Sequence, residues 1–378
     1  MRNDLILEDT TLRDGEQAPG IAFTKEQKSK ILDRLIAAGV THVEVGIPAM
    51  GGEELKFLKS VVERQDEARL VAWNRGVRAD IEQSLDLGFR SVHMGLPASD
   101  LHLAKSVGRD RKWLLSTARD MVRCAKDRGA FVSISAEDVG RADPGFLVEY
   151  AHTVHEAGAD RLRMSDTIGI LGPEAYGERI GAIARECDID MQCHAHNDFG
   201  LGVANTMAGL QAGARYFHVT VNGIGERAGM ADLAQMATAL KYIYDVDLGI
   251  DLTQLTLLSR TVAEAAGHAA PPWHPVVGEN VFAHESGIHV NAMLKDTSSF
   301  EPINPEAVGG ERRYILGKHS GRALIRSLFD ENGKDYDDEL LGRCLGEVRA
   351  LAMRQGSAVE TAQLLEIHER AIADRSLA

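Results

Sequence analysis

LDRLIAAGVTHVEVG, residues 32–46, holds the unit from which the fold is read. An apolar stretch with helical spacing closes on Ala38-Gly39, and a short valine-rich run, His42 to Gly46, follows at once. Glycine at such a junction supplies the left-handed conformation that ends a helix, and the run after it reads as a strand. The cue returns as DLGF at 86–89, DRGA at 127–130, EAGAD at 156–160 and QAGAR at 211–215. Eight β-rich runs result: Leu5 to Asp9, His42 to Gly46, Arg69 to Trp73, Ser91 to Gly95, Ala130 to Ser135, Arg161 to Ser165, Asp190 to His194 and Tyr216 to Val221. Alternating strands and helices in this number predict an α/β fold, a (β/α)8 TIM barrel. A doubly wound open sheet is the alternative, because strand order is not written in a sequence.

The rhythm breaks at GHAAPPWHPVVGENVF, residues 267–282, where three prolines interrupt the alternation. The expected organisation is a barrel catalytic domain over 1–265, a linker and lid subdomain over 266–321, and a helical C-terminal subdomain over 322–378. With 378 residues, 44% of them hydrophobic, the chain can bury a large core. A formal charge of −14 argues against a general binder of nucleic acid or of anionic membranes. The four cysteines form no CxxC pair, and neither a signal peptide nor a membrane-spanning apolar run is found. A cytoplasmic protein acting on small molecules, with no nucleic-acid or membrane partner, is expected.

In a barrel, catalytic groups sit at the C-terminal ends of the strands and in the loops that follow. Here those ends are polar: the loop TTLRDGEQ after the first run, then Glu44, Arg75, His93, Glu137, Asp166 with Thr167, and His194 with His196. A single polar strand end is ordinarily a solvated loop position; recurrence at one end indicates a site. His194 and His196 lie two apart on a strand and so share a face. Asp14 is the best third ligand, since strands one and eight are neighbours in a closed barrel and strand seven is one step further. Two imidazoles and a carboxylate leave coordination positions open and suit Zn²⁺, Mn²⁺, Co²⁺ or Fe²⁺. Taken alone, the HxH pattern reads equally as an ordinary hydrogen-bonded pair. Cys193, of opposite alternation, should face the helices.

DTTLRDGEQAPG at 9–20, CHAHNDFGLGVANT at 193–206, VNGIGERAG at 221–229 and SGIHVNA at 286–292 together resemble the metal-dependent acyl-CoA condensing enzymes of the isopropylmalate and homocitrate synthase family. LVAWNR, GLPASDLHL, GRDRKWLL, LRMSDTIGI and LGKHSG look closest to the homocitrate synthases associated with nitrogenase cofactor assembly. The resemblance implies a divalent ion (Zn, Mn, Mg or Co) on Asp14, His194 and His196. It implies that Arg13 stabilises the developing alkoxide. His289 becomes the base that takes a methyl proton from the co-substrate acetyl-CoA; it lies in the lid subdomain, and in the family it is delivered by the partner of a domain-swapped homodimer. Glu137 and Asp138 are the candidates for assisting thioester hydrolysis. Glu44, Arg75, Ser135, Glu137 and Thr167 form the expected 2-oxo acid cradle, and Gln17 and Glu16 are left for substrate or supporting contacts. His102 and Lys105 are placed to meet a second carboxylate.

The implied reaction joins acetyl-CoA to 2-oxoglutarate and hydrolyses the thioester to homocitrate and CoA. Two departures from the family pattern keep the acceptor open: Met230 stands where many members carry asparagine, and Phe300 where many carry tyrosine. Related acceptors are 2-oxoisovalerate, pyruvate or a phosphonate analogue. A metal-dependent lyase or aldolase is a second class, disfavoured by SGIHVNA. A non-catalytic metal-binding regulator is a third, disfavoured because Arg13, Asp14, His194, His196 and His289 occur together. GIGERAG has the wrong spacing for a dinucleotide loop, LGKHSG lacks the hydroxyl residue that a P-loop needs after its lysine, and no GxSxG elbow is present.

Overall fold

Eight parallel strands close on themselves in chain order in the computed structural model, which describes residues 1–377. They are β1 (Ile6–Asp9), β2 (His42–Gly46), β3 (Arg69–Arg75), β4 (Ser91–Gly95), β5 (Phe131–Glu137), β6 (Arg161–Asp166), β7 (Asp190–Ala195) and β8 (Tyr216–Val219). The sheet closes by pairing β1 with β8, with Glu8 opposite His218, so the open-sheet alternative falls. β3 and β5 run two residues beyond their expected ends because the ladder continues, Arg75 opposite Gly95 and Glu137 opposite Ser165.

Helices follow the strands for the local reasons visible in the sequence. Lys25–Ala37 starts from a complete capping box, in which Thr24 and Gln27 satisfy each other's backbone N–H groups. It ends at Gly39, whose φ is +86°; a Cβ there would lie 2.7 Å from the Gly249 carbonyl oxygen. Outward strand residues such as Val43, Val45, Leu70, Val92, Ile134 and Leu162 are fully buried. Cys193 also points outward, against Tyr176 and the position of Gly209 on the helix Gly202–Gln211.

The inward face of the barrel is unusual. Barrel interiors are ordinarily filled by branched aliphatic side chains, whereas Glu8, Glu44, Arg161, Arg163, Gln192 and His218 occupy this one with almost no solvent exposure. Arg161 donates from Nη1 and Nη2 to the two Glu8 oxygens at 2.8 and 3.1 Å. Arg163 donates from Nη2 to Glu44 at 2.7 Å and from Nε to Gln192 at 2.7 Å. Burial alone would raise the pKa of both glutamates, but the guanidiniums outweigh it: Arg161 holds Glu8, and Arg13 with Arg163 hold Glu44, well below the usual carboxylate range.

Met1–Ala270 forms one contact unit and Pro271–Ala378 a second. The second has its own core, in which Val290 and Leu316 pack with Leu324, Phe329, Leu340 and Val348. Val290 and Leu316, from the stretch expected as linker and lid, thus share a core with the helices Arg322–Glu331, Asp338–Gln355 and Thr361–Leu377. Among the described residues no helix is long and apolar enough to cross a membrane.

Breaking one partner of a buried ion pair leaves an uncompensated charge, at about 3–5 kcal/mol. Arg161→Met should therefore lower the urea-unfolding stability of the protein by about that amount, and adding Glu8→Met to it should restore most of the loss. A single variant as stable as the parent would show that the pair carries no stability.

Candidate active site

Asp14, His194 and His196 are brought together: one ligand atom from each lies within 4.8 Å of the others, and all three side chains are buried. His194 Nε2 is 3.7 Å from Asp14 Oδ2, and the two imidazole centroids are 5.2 Å apart. Asp14 Oδ1 and His196 Nδ1 are buried with no hydrogen-bond partner. Native proteins seldom leave such atoms unpaired, and a divalent cation would satisfy both, so the donor set fits the expected ion.

A relay behind the triad sets the tautomer of His194. His218 lies 2.7 Å from Glu8 through Nε2 and 2.9 Å from His194 Nδ1 through its own Nδ1. Burial pushes the His218 pKa down to about 4, so at neutral pH it carries one proton. Facing the ionised Glu8, that proton belongs on Nε2. His218 Nδ1 then accepts from His194 Nδ1–H, and the lone pair of His194 Nε2 is directed toward Asp14.

The triad opens on a cavity of ≈ 330 Å³. Arg13, Gln17, Ser135, Glu137 and Thr167 also line it. Arg13 is fastened by Nε to Glu44 and by Nη1 to Asp14 at 2.7 Å and Gln17 at 3.2 Å, which fixes its guanidinium at the wall. Glu137 is pushed above the usual carboxylate range by burial, against the pull of Arg13 and Arg163. Thr167 Oγ1 accepts from the Asp138 backbone N–H at 2.8 Å, and its carbonyl accepts from Arg227.

Five of the expected residues lie off the cavity wall. Glu44 sits beneath it as the anchor of Arg13 and Arg163. Arg75, whose side chain is 64% exposed, turns away to pair with Asp80 at 2.7 Å. His102 joins Arg141, which donates to its Nε2 region at 2.9 Å, and Lys105 is exposed. Asp138 is bound by Ser99 and Arg141. Glu44, Arg75, His102 and Asp138 are drawn off by nearer partners of complementary charge or hydrogen-bonding capacity.

His93, one of the polar strand ends, lines the cavity as well, and so do Trp73, Arg163, Ser165, Glu226 and Arg227, beyond the set expected from sequence. The alternation in RLRMS was the available signal for Arg163 and Ser165. Glu226 and Arg227 belong to the loop after β8. That loop turns tightly at Gly229, φ +80°, where a Cβ would lie 1.8 Å from the Gly223 carbonyl oxygen. Arg227 bridges it to Asp198 at 2.8 Å, and Met230 pairs with His196 in an isolated bridge. A second, more apolar cavity of ≈ 350 Å³ shares Arg13 and Gln17 with the first and extends to Ile21, Ile47, Met50 and Phe57.

His289 lies in the second unit, exposed on the helix Gly287–Met293, with its ring stacked on Phe300 at 4.0 Å between centroids. The helix is tied to LGKHSG, since the Gly287 N–H donates to the His319 carbonyl at 2.9 Å and the His319 N–H donates to Glu285 at 3.0 Å.

A family described as HMGL-like matches residues 4–262, and one described as homocitrate synthase post-HMGL domain-like matches 276–356. The chain is 69% identical over 373 residues to a 2-phosphonomethylmalate synthase of Streptomyces rubellomurinus, covering 99% of this chain and 100% of that one. It is 41% identical over 365 residues to homocitrate synthase 1 of Nostoc sp., covering 97% of each. The Bacillus subtilis HMG-CoA lyase structure shares the barrel, with a TM-score of 0.64 at 18% identity over 71% of this chain and 96% of that one. The chain belongs to the HMGL-like family and, within it, to the synthases that condense acetyl-CoA with a 2-oxo acid.

Proposed function

We propose that this enzyme condenses acetyl-CoA with a 2-oxo acid bearing a second, distal acid group, and that the distal group is a phosphonate. The chemistry rests on one observation: Asp14, His194, His196 and Arg13 converge on a single cavity. The acceptor is suggested by the full-length likeness to a 2-phosphonomethylmalate synthase. Disconnecting 2-phosphonomethylmalate at the bond a Claisen-type condensation makes leaves an acetyl unit and 3-phosphonopyruvate. A second reading, 2-oxoglutarate giving homocitrate, is favoured by the likeness to the Nostoc homocitrate synthase; both acceptors carry a distal anion.

A divalent cation held by Asp14, His194 and His196 would polarise the 2-oxo carbonyl as a Lewis acid. Arg13, locked by Glu44, Asp14 and Gln17, faces the oxygen on which negative charge grows and needs no reorganisation to meet it. Thr167 and Ser135 hold the acid's oxygens. His289, brought by the partner of a homodimer, removes the methyl proton of acetyl-CoA, whose pantetheine arm suits the apolar second cavity. Attack of that carbon on the carbonyl forms the new bond. Glu137, whose carboxyl burial holds above the usual range, supplies a proton in this reading as water releases CoA.

Three outcomes are expected. CoA release, followed with a thiol reagent, should be fastest with 3-phosphonopyruvate among a panel of 2-oxo acids and should vanish with chelator; a faster acid without a distal anionic group would overturn the assigned acceptor. His218→Phe removes the partner of His194 and should weaken divalent-metal affinity about 10–100-fold by titration calorimetry, whereas an unchanged affinity would exclude the relay. His289→Asn should lower kcat about 10²–10⁴-fold while leaving metal affinity intact; a parallel loss of metal would remove it from the role of base.

A further inference from the structure

His93, on β4, is fully buried, lines the cavity, and has an Nε2 with no hydrogen-bond partner. Its other ring nitrogen is spoken for: Nδ1 lies 2.9 Å from Ser133 Oγ. Ser133 Oγ also accepts from Arg161 Nε at 3.1 Å, and Arg161 is itself held by Glu8. Arginine can only donate, so the Ser133 hydroxyl proton needs an acceptor of its own in a site closed to water. His93 Nδ1 is the atom within reach. A neutral His93 therefore carries its proton on Nε2.

The ring thus presents a fixed N–H to the cavity with nothing in the protein to receive it. A buried donor left unpaired is destabilising, and folds keep such atoms where a ligand completes them. The nature of the ligand follows from the neighbours. Arg163, one strand beyond Ser135 in the ladder, lines the same cavity and remains cationic at neutral pH, with a pKa pulled by burial to about 10. Ser135 stands between them in strand order, with only long contacts of 3.4 to 3.5 Å to Leu96, Met94 and Glu137. A neutral N–H donor, a hydroxyl and a guanidinium on adjacent strands suit an anionic oxygen cluster rather than an alkyl group. The triad and Arg13 already serve the 2-oxo acid end of the substrate.

We propose that His93 is a specificity-determining residue, whose Nε2–H, oriented through Ser133 and Arg161, binds the distal acid group of the 2-oxo acid together with Ser135 and Arg163. The inference rests on the reading of the protein as a synthase for an acid-bearing 2-oxo acid, and deepens it.

The test is the ratio of kcat/KM for 3-phosphonopyruvate to that for 2-oxobutyrate, which lacks a distal acid group, measured for the parent and for His93→Asn, His93→Gln and His93→Phe. Asparagine can keep the contact to Ser133 but ends short of Nε2; glutamine can reach with a donor. The ratio should fall about 10–100-fold in the asparagine and phenylalanine variants and be largely restored by glutamine. Metal affinity measured by calorimetry on each variant shows that the site is assembled, and the asparagine and glutamine pair decides the matter if phenylalanine does not fold. Equal losses for both acids, or a glutamine variant no better than asparagine, would overturn the role of His93. A parent enzyme that prefers 2-oxobutyrate would instead overturn the acid-bearing acceptor itself, which separates the two failures.

Discussion

Charge neutralisation inside the barrel governs the remainder of the structure. Three guanidiniums, of Arg13, Arg161 and Arg163, meet three carboxylates, of Glu8, Glu44 and Asp14, in the buried interior of the barrel and at the floor of its cavity. Ions in a low-dielectric interior are tolerated only when geometry and hydrogen bonding are nearly complete, so each member restricts the next. Glu8 clamps Arg161 and orients His218; His218 orients His194; Glu44 clamps Arg163 and Arg13. The cluster of Glu8, Glu44 and His218 has the composition of a metal site, but the arginines already fill the role of the cation there.

The same lattice gives the cavity its polarity. Above it, the triad leaves two buried atoms unsatisfied and His93 leaves a third, all three on residues that line one space. Three unpaired atoms in one cavity, above an ion-pair network in which Gln192 Nε2 is also left without a partner, mark the side of the barrel prepared for ligands. The loops complete it by the same means: Gly229 permits the tight return of the loop after β8, and Arg227 ties that loop to Asp198 and to the Thr167 carbonyl.

Much of this was legible in the residues themselves. Helix-ending glycines and valine-rich runs are local signals, and they located eight strands to within about two residues, as expected where hydrogen-bond ladders and not propensity decide the last pair. His194-Ala195-His196 was legible because a strand's period of two is rigid. Asp14 was legible because consecutive strands in a closed barrel have known neighbours. Cys193 followed from the same alternation. The departure at Phe300 was visible too, although only the folded chain shows its ring stacked on His289.

What the sequence determined by itself, then, was periodicity and order: the barrel, its polar rim and the residues sharing a strand face. The tertiary structure alone decided which polar side chains are spoken for. Arg75 and Arg163 look alike in the sequence, each on the inward alternation of a strand, yet one finds Asp80 outside the barrel and the other finds Glu44 within it. His93 gained its meaning from Ser133 and Arg161, which are 40 and 68 residues away along the chain. A side chain's role depends on which donors and acceptors remain after its spatial neighbours have been served, and those neighbours are set by closure of the barrel rather than by proximity in the sequence.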